Sequence, residues 1–318
     1  MALRHSTSIY EHSPALRKHK GMSERTHNIL TGYMFVGPAL IYMLCLIGYP
    51  IVYNIMLSFR DVSAFNLAGG ADRPFVGFQN YITVFRDETM MAAIVNTFKY
   101  TIFCLIFQFS IGLMLALLFN LKFSIAKPMR GFLVISWIMP VTVTALLFKY
   151  MLSPDGGIIN IVLQALHIIN QPVGWLINPK TAIWGPIIAA TWIGTPFNML
   201  LLTTGLSGIP EEVYESSSID GANVFQKFFR ITLPLLRPSI MSVLVLGFVY
   251  TFKVFDLIFV MTGGGPGNST EVFATFAYRL SFSNYYFGQG AAVANVLFLI
   301  LFCVALVYLR LINKEETM

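Results

Sequence analysis

Long apolar runs separated by short polar stretches make up most of the chain. Six of these runs reach the roughly 20 residues needed to cross a bilayer. They cover residues 29–59, 92–119, 132–152, 183–205, 239–262 and 290–311. Runs of this length with no recurring polar face predict membrane spans rather than surface helices. Prolines fall inside three of them: Pro38 and Pro50 in the first, Pro140 in the third, Pro186 and Pro196 in the fourth. A bundle tolerates such kinks when neighbouring helices satisfy the freed carbonyls. So many kinks predict helices arranged around a path rather than a simple anchor. A shorter apolar run at 158–169 cannot span and predicts an interfacial or re-entrant helix on the outer face. The pattern predicts an all-α, polytopic membrane protein with six transmembrane helices.

The polar stretches divide the chain into a tail (1–28), a membrane domain (29–312) and a second tail (313–318). The longest interruption in the second half, within residues 208–238, has its own logic. Pro210 suits the first turn of a helix, and Glu211 and Glu212 favour its positive end. Asp220-Gly221 should break that helix, and a second should start near Asn223. Val224, Phe225, Phe228 and Phe229 supply its apolar face, and Leu233-Pro234 should stop it. The stretch therefore predicts a compact helix–turn–helix between the fourth and fifth spans. Ser216, Ser217 and Ser218 are small enough to let another surface approach. A helix lying on the membrane would explain the phenylalanines but not the acidic first half, which anionic lipid repels. A docking knob for a cytoplasmic partner explains both. After the fifth span, Gly263, Gly264, Gly265, Pro266 and Gly267 predict a sharp helix end.

Composition agrees with this reading. Hydrophobic residues make up 56% of the 318 and charged residues 11%, against about 25% charged in a typical soluble domain. Thirteen of the 21 Lys and Arg residues fall on one side of the predicted bundle. They lie in the N-terminal tail (Arg4, Arg17, Lys18, Lys20, Arg25), the second-to-third loop (Lys122, Lys127, Arg130), the helix–turn–helix (Lys227, Arg230, Arg237) and the C-terminal end (Arg310, Lys314). Arg60, Arg73, Arg86, Lys180 and Arg279 lie on the other side. Positive-inside bias makes the first side cytoplasmic, with both termini inside. The formal charge of +6 then reflects topology and does not call for nucleic acid. No cleaved signal peptide is expected, because the tail has no apolar core segment. Cys45, Cys104 and Cys303 all lie within spans, as apolar filler.

Catalytic patterns are absent. Four of the five histidines (His5, His12, His19, His27) sit in the polar tail, where a solvated tail explains them better than a metal site, and no metal is expected. No HExxH, CxxC or GxSxG occurs, and no Lys-Ser or Lys-Thr follows the glycine cluster to make a phosphate loop. The chain is expected to be no enzyme and to bind no cofactor. An ATP-driven process would need the ATPase on another polypeptide. Asn268-Ser269-Thr270 matches the glycosylation pattern, but nothing else supports that reading.

The helix–turn–helix carries Glu215-Ser216-Ser217, three residues, Gly221, nine residues, Ile231, Thr232 and Leu233-Pro234. This spacing resembles the cytoplasmic motif of membrane subunits of binding-protein-dependent ABC importers, with serines replacing two alanines. "FVGFQNY", "WIGTPFNMLLLTTGLSGIPEEVYE" and "FKVFDLIFVMTGGGPGNST" resemble sugar-type permeases, of the maltose-importer-like kind that precedes its partner permease. The resemblance implies a second homologous permease subunit, two ATPase subunits that hold ATP and magnesium, an extracytoplasmic solute-binding protein, and a location in the bacterial inner membrane. It also makes Glu215, Ser216, Ser217, Asp220, Gly221, Ala222, Ile231, Leu233 and Pro234 the coupling element, with Glu215 facing a basic residue of the ATPase and Gly221 giving the turn.

For the solute path, sugar recognition favours aromatic faces with hydroxyl or amide neighbours. In family members that bind sugar within the membrane, contacts come from the helices flanking the coupling loop, and carried over by position from Glu215 the resemblance makes Thr191, Gly194, Phe197, Tyr250, Thr251 and Lys253 the candidates. Lys253 and Asp256 stand three residues apart in the predicted fifth span, so they can share a helical face and pair. Such a pair reads either as a structural ion pair or as part of the path. The alternatives are a permease for a non-sugar solute and an ion-coupled secondary transporter relaying through Lys253 and Asp256.

Overall fold

A computed structural model describes residues 24–68, 73–121 and 123–316. Arg4, Arg17, Lys18, Lys20, Lys122 and three of the tail histidines (His5, His12, His19) lie outside the described residues. Every regular element among those described is helical, and the only strand-like pairing there is a single bridge between Arg60 and Phe75.

Contacts divide the chain into an N-terminal unit ending at Tyr53 and a larger unit from Asn54 onward. α1 (Glu24–Met43) passes through a π-turn (Leu44–Gly48) into α2 (Tyr49–Ser58), and the unit boundary falls within α2. The wider turn lies just before Pro50, where a regular turn would press the ring against a carbonyl four residues back.

The larger unit opens with α3 (Ala64–Ala68), α4 (Gln79–Arg86) and α5 (Glu88–Asn120). Asp87 caps α5 by accepting the Thr89 N–H at 2.8 Å. Next come α6 (Ala126–Ile138), α7 (Val141–Met151), α8 (Ile158–Ala165) and α9 (Trp184–Ser207). Among the described residues, four helical segments are long and apolar enough to cross a membrane: Thr31–Ser58, Glu88–Asn120, Trp184–Ser207 and Phe287–Arg310. Two bent pairs bring the number to six when each pair counts as one span.

The first bent pair corrects the expected kinked third span. α6 and α7 meet at 95°, because Met139 and Pro140 both take extended backbone (ψ 138° and 131°). The residue before a proline is pushed out of the helical region, and the proline has no N–H to continue the ladder.

The remaining elements are α10 (Glu211–Ile219), α11 (Val224–Lys227), a π-turn (Phe228–Thr232), α12 (Leu233–Leu235), α13 (Arg237–Phe252), α14 (Asp256–Met261), α15 (Phe273–Tyr278), a π-turn (Arg279–Ser283) and α16 (Phe287–Glu316). Leu233-Pro234 does not stop the second helix of the elbow, as the sequence predicted. The π-turn absorbs the proline, and the chain continues into α13 through a 65° bend. The predicted fifth span is also broken, since Lys253–Phe255 separate α13 from α14.

Three apolar clusters hold the unit together. One gathers Tyr100, Cys104, Ile183, Ile187 and Ile258, the second Met90, Phe252, Phe273 and Phe276, and the third Phe119, Met199, Leu202 and Leu236. α5 and α9 form the main helix pair. Gly194 and Gly112 set their separation, because a Cβ at Gly194 would collide with the Gln108 amide and one at Gly112 with Asn198. Small residues of this kind allow close backbone approach between membrane helices.

Candidate functional site: a braced elbow and an aromatic-lined cavity

α10 follows Pro210, whose ψ of 137° places it just ahead of the first helical residue rather than in the first turn. Glu211 and Glu212 occupy that turn. The helix ends in a Schellman motif. Gly221 N–H bonds the Ser218 carbonyl at 3.1 Å, and Ala222 N–H bonds the Ser217 carbonyl at 3.0 Å. Gly221 reaches φ +78° to do so, in the region that L side chains disfavour. Asn223 then starts α11 with a capping box. Its Oδ1 accepts the Gln226 N–H, and Gln226 Oε1 accepts the Asn223 N–H, each at 2.9 Å.

Two contacts brace the arms of this elbow. The Tyr214 and Thr232 hydroxyls lie 3.0 Å apart, and Lys227 Nζ donates to Ser218 Oγ at 2.6 Å. The serines differ in environment. Ser217 is buried within the chain, whereas Ser216 and Ser218 are exposed, and all three hydroxyls donate to carbonyls of Val213 or Tyr214 in their own helix. Only Ser216 and Ser218 therefore present a surface to a partner. Glu215 and Asp220 are exposed. Ile219, Val224 and Phe225 are exposed by 87%, 80% and 76%, which gives the turn an apolar tip ringed by charge. Ile231, Leu233 and Pro234 lie on the return arm, with Ile231 and Leu233 half-buried. All nine predicted coupling residues thus belong to one elbow.

About 20 Å away along α9 lies a cavity of ≈ 420 Å³. Four predicted path residues line it: Gly194, Phe197, Tyr250 and Thr251. The Phe197 ring meets Tyr250 edge-on at 6.2 Å and Trp137 at 5.5 Å. Gln108 and Asn198 add amides, which donate to the Ala190 carbonyl at 2.9 Å and the Gly194 carbonyl at 2.8 Å. Trp137 and Gln108 were not among the sequence candidates. An amide in the middle of an apolar run is costly in lipid and was the available signal for Gln108. Trp137 gave none, because the α6–α7 break that turns it toward the cavity is a tertiary feature.

Thr191 lines a different groove, on another side of α9, with Phe107, Phe148 and Trp192. Its hydroxyl is bonded back to Ile187 O at 2.7 Å. The expected Lys253–Asp256 pair does not form. The helix ends at Phe252, so the three-residue spacing no longer places both on one face. Lys253 Nζ lies instead 5.3 Å from the centroid of the Tyr250 ring. Asp256 is exposed in the first turn of α14.

Beyond the α14 end, Asn268 and Glu271 are fixed to α5 by the Asn96 amide, which donates to both their carbonyls at 3.1 Å. Arg279 joins the Asn268 side chain at 3.0 Å and the Glu271 carboxylate at 3.1 Å. Burial pushes the Glu271 carboxyl above its ordinary value, against the opposing effects of Arg279 and Thr275. Among the described residues no cluster of His, Cys, Asp or Glu could hold a metal ion.

Residues 108–314 match the family described as binding-protein-dependent transport system inner membrane component. The chain is 34% identical over 287 residues to the sulfoquinovosyl glycerol transport system permease protein SmoG of Agrobacterium fabrum, covering 90% of this chain and 92% of that one. It is 33% identical over 284 residues to the trehalose/maltose transport system permease protein MalF of Thermococcus litoralis, covering 88% and 92%. Its fold matches a chain of the bacterial alginate ABC transporter solved with an alginate pentasaccharide-bound periplasmic protein. That match has a TM-score of 0.76, 23% identity, and coverage of 90% of this chain and 94% of that one.

Proposed function

The chain belongs to the binding-protein-dependent transport system inner membrane components, and from that premise we propose that it is one permease of a pair that imports a carbohydrate. It is a multi-pass membrane component of a transporter. In the assembly proposed here, a second homologous permease completes the path, two ATPase subunits sit beneath it, and an extracytoplasmic binding protein delivers the solute. Both termini and the elbow face the cytoplasm. ATP and magnesium belong to the ATPases.

The observation that carries this reading is the elbow, a braced turn with an apolar tip of Ile219, Val224 and Phe225 beside the exposed Glu215. A rigid knob of this composition fits a cleft on a soluble partner, because apolar anchors supply affinity and rim charges set orientation. α9 enters the elbow and α13 leaves it, and both line the cavity. Closure of the ATPases on ATP would pull the elbow. The same two helices would then carry the movement to Gly194, Phe197 and Tyr250.

The carbohydrate assignment rests on the cavity lining and on the relatives. Aromatic faces of Phe197, Tyr250 and Trp137 suit the C–H faces of a sugar, and the amide oxygens of Gln108 and Asn198 suit its hydroxyls. Two relatives are named for sulfoquinovosyl glycerol and for trehalose and maltose. An ion relay through Lys253 and Asp256 lacks the pairing it would need. The test is ATP hydrolysis by the complete complex on addition of sugar-loaded binding protein, with uptake measured in Phe197→Ala and Tyr250→Ala. Stimulation with impaired uptake in both variants supports the reading. Unchanged affinity and rate in both would reject the placement of the path.

A further inference from the structure

The segment between α7 and α9 carries an unusual surface. Residues 156–179 contain no Asp, Glu, Lys or Arg, and His167 is their only titratable side chain. Within them α8 turns Ile158, Ile161, Val162 and Leu166 outward, exposed by 50%, 49%, 46% and 63%. Their spacing places them on one helical face. Its orientation is fixed from the opposite side. Ile159 packs on the core cluster, and the buried Asn160 uses all its hydrogen-bonding capacity on the surrounding loop. Asn160 Nδ2 donates to Ser153 O at 3.0 Å and Val173 O at 3.1 Å, while Oδ1 accepts from Val173 N at 3.1 Å and Trp175 Nε1 at 3.0 Å. The apolar face cannot roll inward without breaking four hydrogen bonds.

Two observations identify what covers it. The first is position. Asn160 bonds Ser153 O, two residues past the end of α7, and Ile159 packs on the cluster that holds Leu152 and Ile183, the residues that follow α7 and precede α9. α8 therefore lies near the level at which the α6–α7 pair ends and α9 begins, and α9 is about 36 Å long, enough to place the elbow at the opposite membrane face. The second is charge. At the elbow the exposed apolar residues alternate with Glu215, Asp220 and Lys227, as suits a protein partner. The α8 face has no charge with which to orient a protein.

We propose that α8 is an interfacial helix, with Ile158, Ile161, Val162 and Leu166 seated in the headgroup–acyl boundary of the bilayer opposite the elbow. It anchors the turn that joins α7 to α9. With no basic residue on the segment, apolar burial drives the contact, so zwitterionic lipid suffices and anionic lipid adds nothing.

The test uses the assembled permease complex in phosphatidylcholine nanodiscs. Cys45, Cys104 and Cys303 are replaced by alanine, and a polarity-sensitive fluorophore is attached at Ile161→Cys and, separately, at Leu166→Cys. The expected result at both positions is blue-shifted emission that is quenched at least threefold more by shallow brominated phosphatidylcholine than by aqueous iodide. Adding binding protein should leave it unchanged, and so should replacing a fifth of the lipid with phosphatidylglycerol. Dominant iodide quenching would overturn the proposal, as would an emission change on adding binding protein, or protection from both quenchers by a protein neighbour. None of these readings depends on transport, so they are separable from failure of the function proposed above.

Discussion

Gly221 holds φ at +78° with open space around its missing side chain, so substitution there acts through the backbone alone. Alanine should cost about 1 kcal/mol, whereas proline fixes φ near −65° and removes the N–H that reaches Ser218 O. Gly221→Pro should abolish uptake while the complex still assembles on gel filtration, and Gly221→Ala should retain most of it. Gly194 is the opposite case, since its φ is ordinary and its space is full. Gly194→Ala drives a methyl into the Gln108 amide, an overpacking that should cost about 1–3 kcal/mol. A thermal melt of the purified complex should show the loss, and adding Gln108→Ala should restore much of it. Equal melting temperatures for wild type and Gly194→Ala would contradict the close α5–α9 contact. Much of this scale was legible in the sequence. Asp220-Gly221 marked the turn because few other residues take that backbone. The Tyr214–Thr232 contact was not legible, because it joins residues 18 apart that only the folded elbow brings together.

At the scale of elements, the apolar runs located the spans but not their breaks. Pro140 was visible in the sequence, yet nothing in the run separates a mild kink from a 95° corner, which depends on what packs at the corner. The break at Lys253–Phe255 carries neither proline nor glycine, so no residue there signals it. That break separates Lys253 from Asp256, and the α6–α7 corner brings Trp137 into the cavity. The elbow should also behave as one element. Tyr214→Phe removes the brace to Thr232 at a cost of about 1 kcal/mol. It should leave basal ATP hydrolysis intact while lowering the solute moved per ATP, measured in proteoliposomes. The Asn268–Glu271–Arg279 clasp makes a prediction in pH. Burial raises the Glu271 carboxyl, so the folded chain holds that proton more tightly than the unfolded chain does. The resulting stability is full below the ordinary glutamate range and drains away as pH rises through the raised value. Melting temperatures of Glu271→Gln should lack this decline, and parallel pH profiles for the two proteins would remove the assignment.

For the whole molecule, α9 and α13 join two places about 20 Å apart. In the proposed assembly the elbow is the joint to the ATPases, and the cavity lies on the solute path. In the proposed assembly the energy reaches the chain through the elbow, because ATP belongs to the separate ATPase subunits. Ile219→Asp with Phe225→Asp places charge on the apolar tip and should weaken ATPase association at least tenfold by pull-down, leaving the bundle folded.

The most direct measurement is solute accumulation in proteoliposomes that hold both permeases with binding protein outside, with and without the ATPase subunits, under an imposed proton or sodium gradient. The account predicts accumulation only when the ATPases and internal ATP are present, whatever the gradient. Accumulation driven by the gradient in vesicles that lack the ATPases would contradict it.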